Sequence, residues 1–203
     1  MTVRPLHLFL ELATLAAFLA AAVIAARRRG TEGVWLYATV TALGALRENF
    51  VVLAQALYGF ADLAFAVGRA PLLSAVIWGL SIDAAVGFAE RVTPDRLAPG
   101  RLPARFQAAV AVFMLALAGF YEPFLKLVDL ARWEPGTRRV LGVPQIALVG
   151  YPTLALLFLA LFAFVMARWP RPGQRFVAFA LAIPALAFAH AAALTALKRA
   201  LAW

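Results

Sequence analysis

Several ionisable side chains lie inside long apolar stretches of this sequence, where solubility cannot explain them. A charged group at the centre of a lipid bilayer costs at least about 2.5–3.5 kcal/mol on insertion scales, so each such residue is a candidate for function. Glu11 follows His7 by about one helical turn on the same face, and Arg47 and Glu48 are adjacent. The full set of candidates is His7, Glu11, Arg47, Glu48, Asp62, Asp83, Glu122 and His190.

These residues are compatible with two kinds of role. A carboxyl group in apolar surroundings is protonated more readily than in water, and it can then act as an acid. Alternatively, Arg47 neutralises an acidic residue on its own or a neighbouring helix, and the charges form a structural polar network. The acids considered for that pairing are Glu11, Glu48 and Asp83.

Other chemistries lack the residues they need. Cysteine is absent and only two histidines are present, without a His-rich pattern, so the sequence predicts no metal site. No P-loop or dinucleotide-binding glycine motif occurs, and neither Ser74 nor Ser81 lies in a nucleophile elbow. We therefore expect neither a metal nor an organic cofactor.

The composition is that of a membrane protein. The chain has 203 residues, 65% of them hydrophobic and 14% charged, with a mean hydropathy of +0.86. Soluble domains are about 45–50% apolar and about 25% charged. The net charge of +9 is interpreted as basic residues that flank spans and meet anionic headgroups, so nucleic acid is not an expected partner.

Apolar stretches of about 20 residues predict an all-α, integral membrane bundle of about six transmembrane helices in a single domain, residues 1–203. A helix is expected to end near Tyr58 and to continue as an extension and turn over Gly59–Ala70, and loops are expected at Arg91–Arg105 and Trp169–Arg175. No internal repeat is evident in the sequence. The predicted spans are Pro5–Ala26, Val34–Tyr58, Pro71–Ala89, Phe106–Leu125, Pro144–Ala167 and Phe176–Leu197.

Basic residues favour one orientation. Ten lysines and arginines fall in the first, third and fifth connections and eight on the opposite side, so the positive-inside rule places both termini outside the cytoplasm. The expected location is the bacterial inner membrane, as a multi-pass protein.

Two groups of short motifs resemble one membrane family. The first comprises Glu48-Asn49-Phe50-Val51, Tyr58, Gly68-Arg69-Ala70-Pro71-Leu72 and Trp78. The second comprises Tyr121-Glu122-Pro123, Arg132-Trp133-Glu134, Gly142-Val143-Pro144 and Gly150-Tyr151. In order and spacing they resemble the carotenoid biosynthesis proteins, whose best-known members are carotenoid hydratases. The sequence departs from that pattern at Glu122, Ala147 and Tyr151, where the family has Asp, Asn and Trp.

The resemblance implies addition of water to a terminal alkene without a cofactor. An acid protonates the alkene, aromatic faces stabilise the tertiary carbocation, and water attacks it. The candidate catalytic residues are Glu48, Asp83 and Glu122, and the candidate substrate-binding residues are Tyr58, Trp78, Trp133 and Tyr151. The implied partners are membrane lipid and a carotenoid or another isoprenoid.

Two other functions remain open. One is a non-catalytic carotenoid- or lipid-binding accessory subunit, with partner helices on its apolar exterior. The other is a small-solute transporter, although no inverted repeat supports it. An enzyme needs its carboxylates to converge on one pocket, whereas a structural subunit would pair them with Arg47, Arg69 or Arg132, and a transporter would show a polar path.

Overall fold

The computed structural model describes residues 4–54, 57–61 and 63–201, so Asp62 lies outside the described residues. Over that part of the chain there are six helices and three pairs of very short strands. The helices are α1 (Pro5–Arg29), α2 (Thr31–Ala54), α3 (Leu72–Val92), α4 (Ala104–Leu127), α5 (Gln145–Arg168) and α6 (Pro172–Ala200). The strands are β1 (Tyr58–Phe60), β2 (Ala66–Val67), β3 (Ala70–Pro71), β4 (Ala131–Trp133), β5 (Arg139–Val140) and β6 (Val143–Pro144).

The all-α fold class is confirmed, and the protein is a multi-span helical membrane protein. All the helices except α2 are long and apolar enough to cross a bilayer. The polar run of Arg47, Glu48 and Asn49 lowers the hydropathy of α2. In lipid, helices satisfy their own backbone hydrogen bonds, and these bundles are held by packing rather than by exclusion of water.

Two of the predicted connections are wrong in detail. The stretch Gly59–Ala70 does not extend a helix, because β1 and the β2–β3 hairpin occupy it. The predicted loop Trp169–Arg175 is shorter, since α6 already begins at Pro172. Proline at a first helical position loses no intrahelical hydrogen bond, so it starts this helix at little cost.

Helix α2 packs against α1, α3 and α6, while α5 packs against α4 and α6, and α3 packs against α4. The buried core between them is almost entirely apolar, with Ile82, Phe106, Met114 and Phe158 fully enclosed. The turn from α1 to α2 is very tight. A side chain at Gly33 would collide with the carbonyl oxygen of Ala25, so only glycine allows this close crossing.

The segments between α2 and α3 and between α4 and α5 share one plan. Each has a strand, then a two-residue hairpin, then a proline immediately before the next helix. The hairpin turns use positive φ at Gly68 and at Leu141 and Gly142. Strands β1 and β4 pair antiparallel, with Tyr58 opposite Trp133, and so join the two segments.

The bundle therefore contains a structural repeat, α2–α3 and α4–α5, whose two copies cross the bundle in the same direction. Such parallel repeats are known from membrane transporters. Few residues match between the two copies, Glu48 with Glu122 and Pro71 with Pro144 among them, so the correspondence is clearest in the order of elements. Both connecting segments lie at the end of the bundle where α1 begins and α6 ends, because Arg4 contacts Asp129 and Lys198 contacts Glu134 there.

Helix α1 holds both connecting segments through two buried polar side chains. The Glu11 carboxylate accepts hydrogen bonds from the backbone N–H groups of Ala64 and Phe65, at 2.8 and 3.0 Å. One turn earlier, Nε2 of His7 donates to the carbonyl oxygen of Val128 at 2.9 Å. Glu11 and His7 therefore hold the connecting segments in place, and this role explains why they are only 1% and 2% exposed.

Replacing Glu11 by alanine is expected to loosen the segment between α2 and α3. Each backbone N–H left without an acceptor costs about 1–3 kcal/mol. Thermal unfolding in detergent should therefore shift to lower temperature, and limited proteolysis should cut within residues 57–71. The control is Glu32→Ala, at the start of α2 and the opposite end of the bundle. Equal behaviour of the two variants would contradict this role of Glu11.

Candidate functional site

The first half of the site is centred on Glu48, which is 2% exposed near the end of α2. Its carboxylate accepts hydrogen bonds from the Tyr58 hydroxyl at 2.5 Å, from Trp78 Nε1 at 2.8 Å and from Arg47 Nη1 at 2.6 Å. Arg47 also donates to the Tyr58 hydroxyl. Its guanidinium carbon lies 5.6 and 5.7 Å from the ring centroids of Tyr58 and Trp78. Glu48 is thus a buried carboxylate with a cationic partner.

The second half is centred on Glu122, near the end of α4 and 5% exposed. One carboxylate oxygen accepts from Trp133 Nε1 at 2.6 Å, and the other accepts from the Tyr151 hydroxyl at 2.9 Å. Both donors are neutral groups. Among the described residues, no basic side chain forms an ion pair with Glu122.

The two halves correspond element by element. Each glutamate is contacted by an aromatic residue of the following strand, 10 or 11 positions later. Each is also contacted by an aromatic residue of the following helix, 30 or 29 positions later. The order is Tyr then Trp around Glu48, and Trp then Tyr around Glu122. Each half of the repeat therefore surrounds its glutamate with the same arrangement of two aromatic hydrogen-bond donors.

One position breaks this correspondence. The residue before the glutamate is Arg47 in the first half and Tyr121 in the second. Among the described residues, the first carboxylate consequently forms an ion pair with the residue before it and the second does not. Two equivalent positions in one fold are thereby given different electrostatic environments.

Both carboxylates line one cavity between α2, α3, α4 and α5. Its walls combine the aromatic donors with aliphatic side chains such as Ile77, Leu125 and Ile146. Ring centroids are 4.7 Å apart for Tyr58 and Trp133, and 5.2 Å apart for Trp78 and Tyr151. The cavity volume is about 50 Å³, enough for a few water molecules at the 10–15 Å³ that each needs on this measure.

The structure brings together all but one of the side chains that the sequence singled out as catalytic or substrate-binding. Those that line the cavity are Glu48, Tyr58, Trp78, Glu122, Trp133 and Tyr151. Asp83 does not reach it. The carboxylate of Asp83 pairs with Arg29 at 2.8 Å and accepts from the Tyr37 hydroxyl at 3.2 Å, nearer the other end of α3. Glu90 binds the same guanidinium at 3.0 Å, so these charges tie α1 to α3.

Two further cavity residues bear on the predicted site. Arg47 was considered only as a neutralising charge, yet its guanidinium touches both a carboxylate and two aromatic rings of the cavity. Ala147, where the resembled family has Asn, does lie at the cavity wall and contributes no polar group there. The feature of the sequence that could have indicated Arg47 was its position immediately before Glu48.

Two buried side-chain nitrogens have no hydrogen-bond partner among the described residues. One is Nε of Arg47, which lines the cavity, and the other is Nδ1 of His190 on α6, which does not line it. Nε2 of His190 lies 3.1 Å from the Thr153 hydroxyl, which itself donates to the carbonyl oxygen of Val149 at 2.7 Å. In the tautomer in which Nε2 donates to this hydroxyl, Nδ1 is an acceptor without a partner among the described residues. Buried groups of this kind are the positions that ordered water occupies.

Within the described part of the chain, no group of three or more His, Asp or Glu side chains is arranged to hold a metal ion. The comparisons with known proteins add no assignment: no family model, curated protein or solved structure matches this chain. The protein's class is therefore defined by its own structure, as a multi-span helical membrane protein with two buried carboxylates facing one cavity.

A double-mutant cycle on Arg47 and Glu48 should show strong coupling. Removing either partner leaves an uncompensated buried charge, so Arg47→Met and Glu48→Gln are each expected to cost about 3–5 kcal/mol of unfolding free energy. The double variant removes both charges and should cost less than the sum, by about 0.5–3 kcal/mol. Denaturant unfolding in mixed micelles measures this.

The matched control is the exposed pair Arg4 and Asp129, which are joined at 3.1 Å. Water and salt screen such a pair, so the cycle of Arg4→Met and Asp129→Asn should show almost no coupling. Additive costs at Arg47 and Glu48 would contradict the compensated buried pair.

Proposed function

We propose that the cavity is an acid–base site that adds water to a terminal alkene of an isoprenoid chain, such as a carotenoid, within the membrane. The observation that carries this proposal is the pair of buried carboxylates on one aromatic-walled cavity, of which, in the described part of the chain, Glu48 alone forms an ion pair. The resemblance to carotenoid hydratases in the motifs around Glu48 and Glu122 supports the same reaction.

The roles of the two carboxyl groups follow from their partners. Glu48 forms an ion pair with Arg47, so in the proposed reaction it supplies a fixed negative charge. Glu122 accepts hydrogen bonds from the neutral groups of Trp133 and Tyr151 and forms no ion pair among the described residues, so protonating it breaks no salt bridge. Glu122 is therefore the proton donor in the proposed reaction, and Glu48 is the electrostatic partner of the positive charge that develops.

The reaction balances without a further reactant. The alkene π electrons take the proton of Glu122, forming a C–H bond and a tertiary carbocation. The rings of Tyr58 and Trp133 and the charge of Glu48 stabilise this cation. A water molecule attacks the cation, forming the C–O bond, and its surplus proton returns to the Glu122 carboxylate. The product is a tertiary alcohol, and the acid is restored.

The size of the cavity sets a condition on substrate binding. About 50 Å³ accommodates water but not the end of a polyene. The substrate must therefore displace side chains of the wall, such as Ile77 on α3 and Tyr121 on α4, both only half-buried.

Glu122→Gln is expected to lower hydration at least about 100-fold, the lower end of what a positioned general acid contributes. The purified protein, in detergent with added phospholipid, is incubated with an acyclic polyene bearing a terminal trisubstituted alkene, in oxygen-labelled water. Mass spectrometry follows incorporation of the label. The matched control is Glu90→Gln, which removes a carboxylate near the opposite end of α3 from the cavity and should retain activity.

Full activity of Glu122→Gln would reject Glu122 as the acid. A second function is a carotenoid- or lipid-binding accessory subunit that performs no chemistry, which the large exposed apolar side chains on the bundle exterior, such as Phe9, Phe120 and Leu181, support. Its signature would be a polyene that co-purifies with the wild-type protein and remains unchanged in the same assay. If the wild-type protein neither hydrates nor retains a polyene, both functions are rejected.

A further inference from the structure

A second cavity lies at the opposite end of the bundle from the carboxylates, where α5 ends and α6 begins. This groove has a volume of about 410 Å³ and is lined by Arg168, Trp169, Pro170, Arg171 and Gln174. We propose that it binds the headgroup of an anionic phospholipid.

The charge of the groove is uncompensated. Both Arg168 and Arg171 are exposed, and within the described ranges neither guanidinium has a hydrogen-bond or ion-pair partner. The groove contains no acidic side chain, and none occurs in the first turn of α6. Two free guanidinium groups in a concave site match a phosphodiester, since each presents several donors in a fixed geometry.

A third arginine makes the turn rigid without competing for the ligand. Arg175 donates through Nε to the carbonyl oxygen of Trp169 at 2.7 Å, and through Nη2 to that of Met166 at 3.4 Å. These bonds satisfy carbonyl groups that the end of α5 leaves free. Arg175 is thus used to hold the backbone, and the groove keeps its shape without a bound lipid.

The surroundings of the groove place it at the level of the headgroups. Trp169 is half-buried and packs edge-on against Phe164, with ring centroids 5.7 Å apart, and tryptophan is enriched at this depth. On the bilayer side, Phe164, Phe176 and Val177 are 57%, 65% and 56% exposed. A lipid whose phosphate lies in the groove would therefore have its acyl chains against apolar side chains.

The predicted orientation agrees with this occupant. The groove belongs to the side with the larger number of basic residues, which is the cytoplasmic side under the positive-inside rule. Anionic lipids give the cytoplasmic leaflet its negative surface potential.

The test uses the full chain in nanodiscs of phosphatidylcholine with a minor share of phosphatidylglycerol, followed by native mass spectrometry of the lipids that stay bound. Wild type should retain phosphatidylglycerol in preference to phosphatidylcholine. The double variant Arg168→Gln/Arg171→Gln should lose this preference by roughly ten- to thirtyfold, given what two basic residues contribute at an anionic surface. The matched control is Arg27→Gln/Arg28→Gln, an exposed pair on the same side but outside the groove, which should behave like wild type.

Three results would overturn the proposal. The first is an equal loss of preference in both double variants, which would show attraction by net charge rather than a site. The second is equal retention of phosphatidylcholine. The third is displacement of phosphatidylglycerol by inorganic phosphate alone, which would assign the groove to a soluble anion.

Discussion

The structure depends on the need to satisfy two carboxyl groups inside a membrane bundle. Lipid offers no hydrogen bonds, so the donors to Glu48 and Glu122 must come from the protein or from water in the cavity. Some of those donors lie on helices and others on β1 and β4, and each must be held at hydrogen-bond distance from its carboxylate. The connecting segments therefore cannot be free loops. Their strand pairing, their hairpins and their anchoring to α1 through Glu11 and His7 all serve to hold Tyr58 and Trp133 over the carboxylates.

A symmetric scaffold carrying one asymmetric charge is a simple way to obtain two functions from one arrangement. The aromatic donors are nearly interchangeable between the halves, but Arg47 and Tyr121 are not. A guanidinium is positively charged and stabilises the ionised form of a neighbouring acid, whereas a neutral phenol carries no charge to do so. Proton donors and electrostatic stabilisers in enzymes often arise in this manner, from like groups in unlike surroundings.

Much of the fold was predictable because spans in lipid need long apolar runs, and such runs are visible in a single sequence. The strands were not predictable, since two or three residues carry no periodicity. The repeat was hidden because its halves exchange tyrosine and tryptophan. Most candidate site residues do line one cavity, but the depth of a residue along a helix depends on packing. Asp83 lies five residues beyond Trp78, about 7.5 Å further along α3, which takes it to Arg29 instead.

The parallel direction of the two halves has a consequence for how such a protein can arise. A unit of two helices returns the chain to the side from which it started, so a tandem copy inserts in the same sense as the original. Duplication of that unit within a gene would keep each loop on its original side of the membrane. The basic residues of the loops would still satisfy the positive-inside rule, and no inversion of topology would be required. The two glutamates would then begin in identical surroundings. A single substitution next to one of them would be enough to give the two carboxyl groups different electrostatic environments.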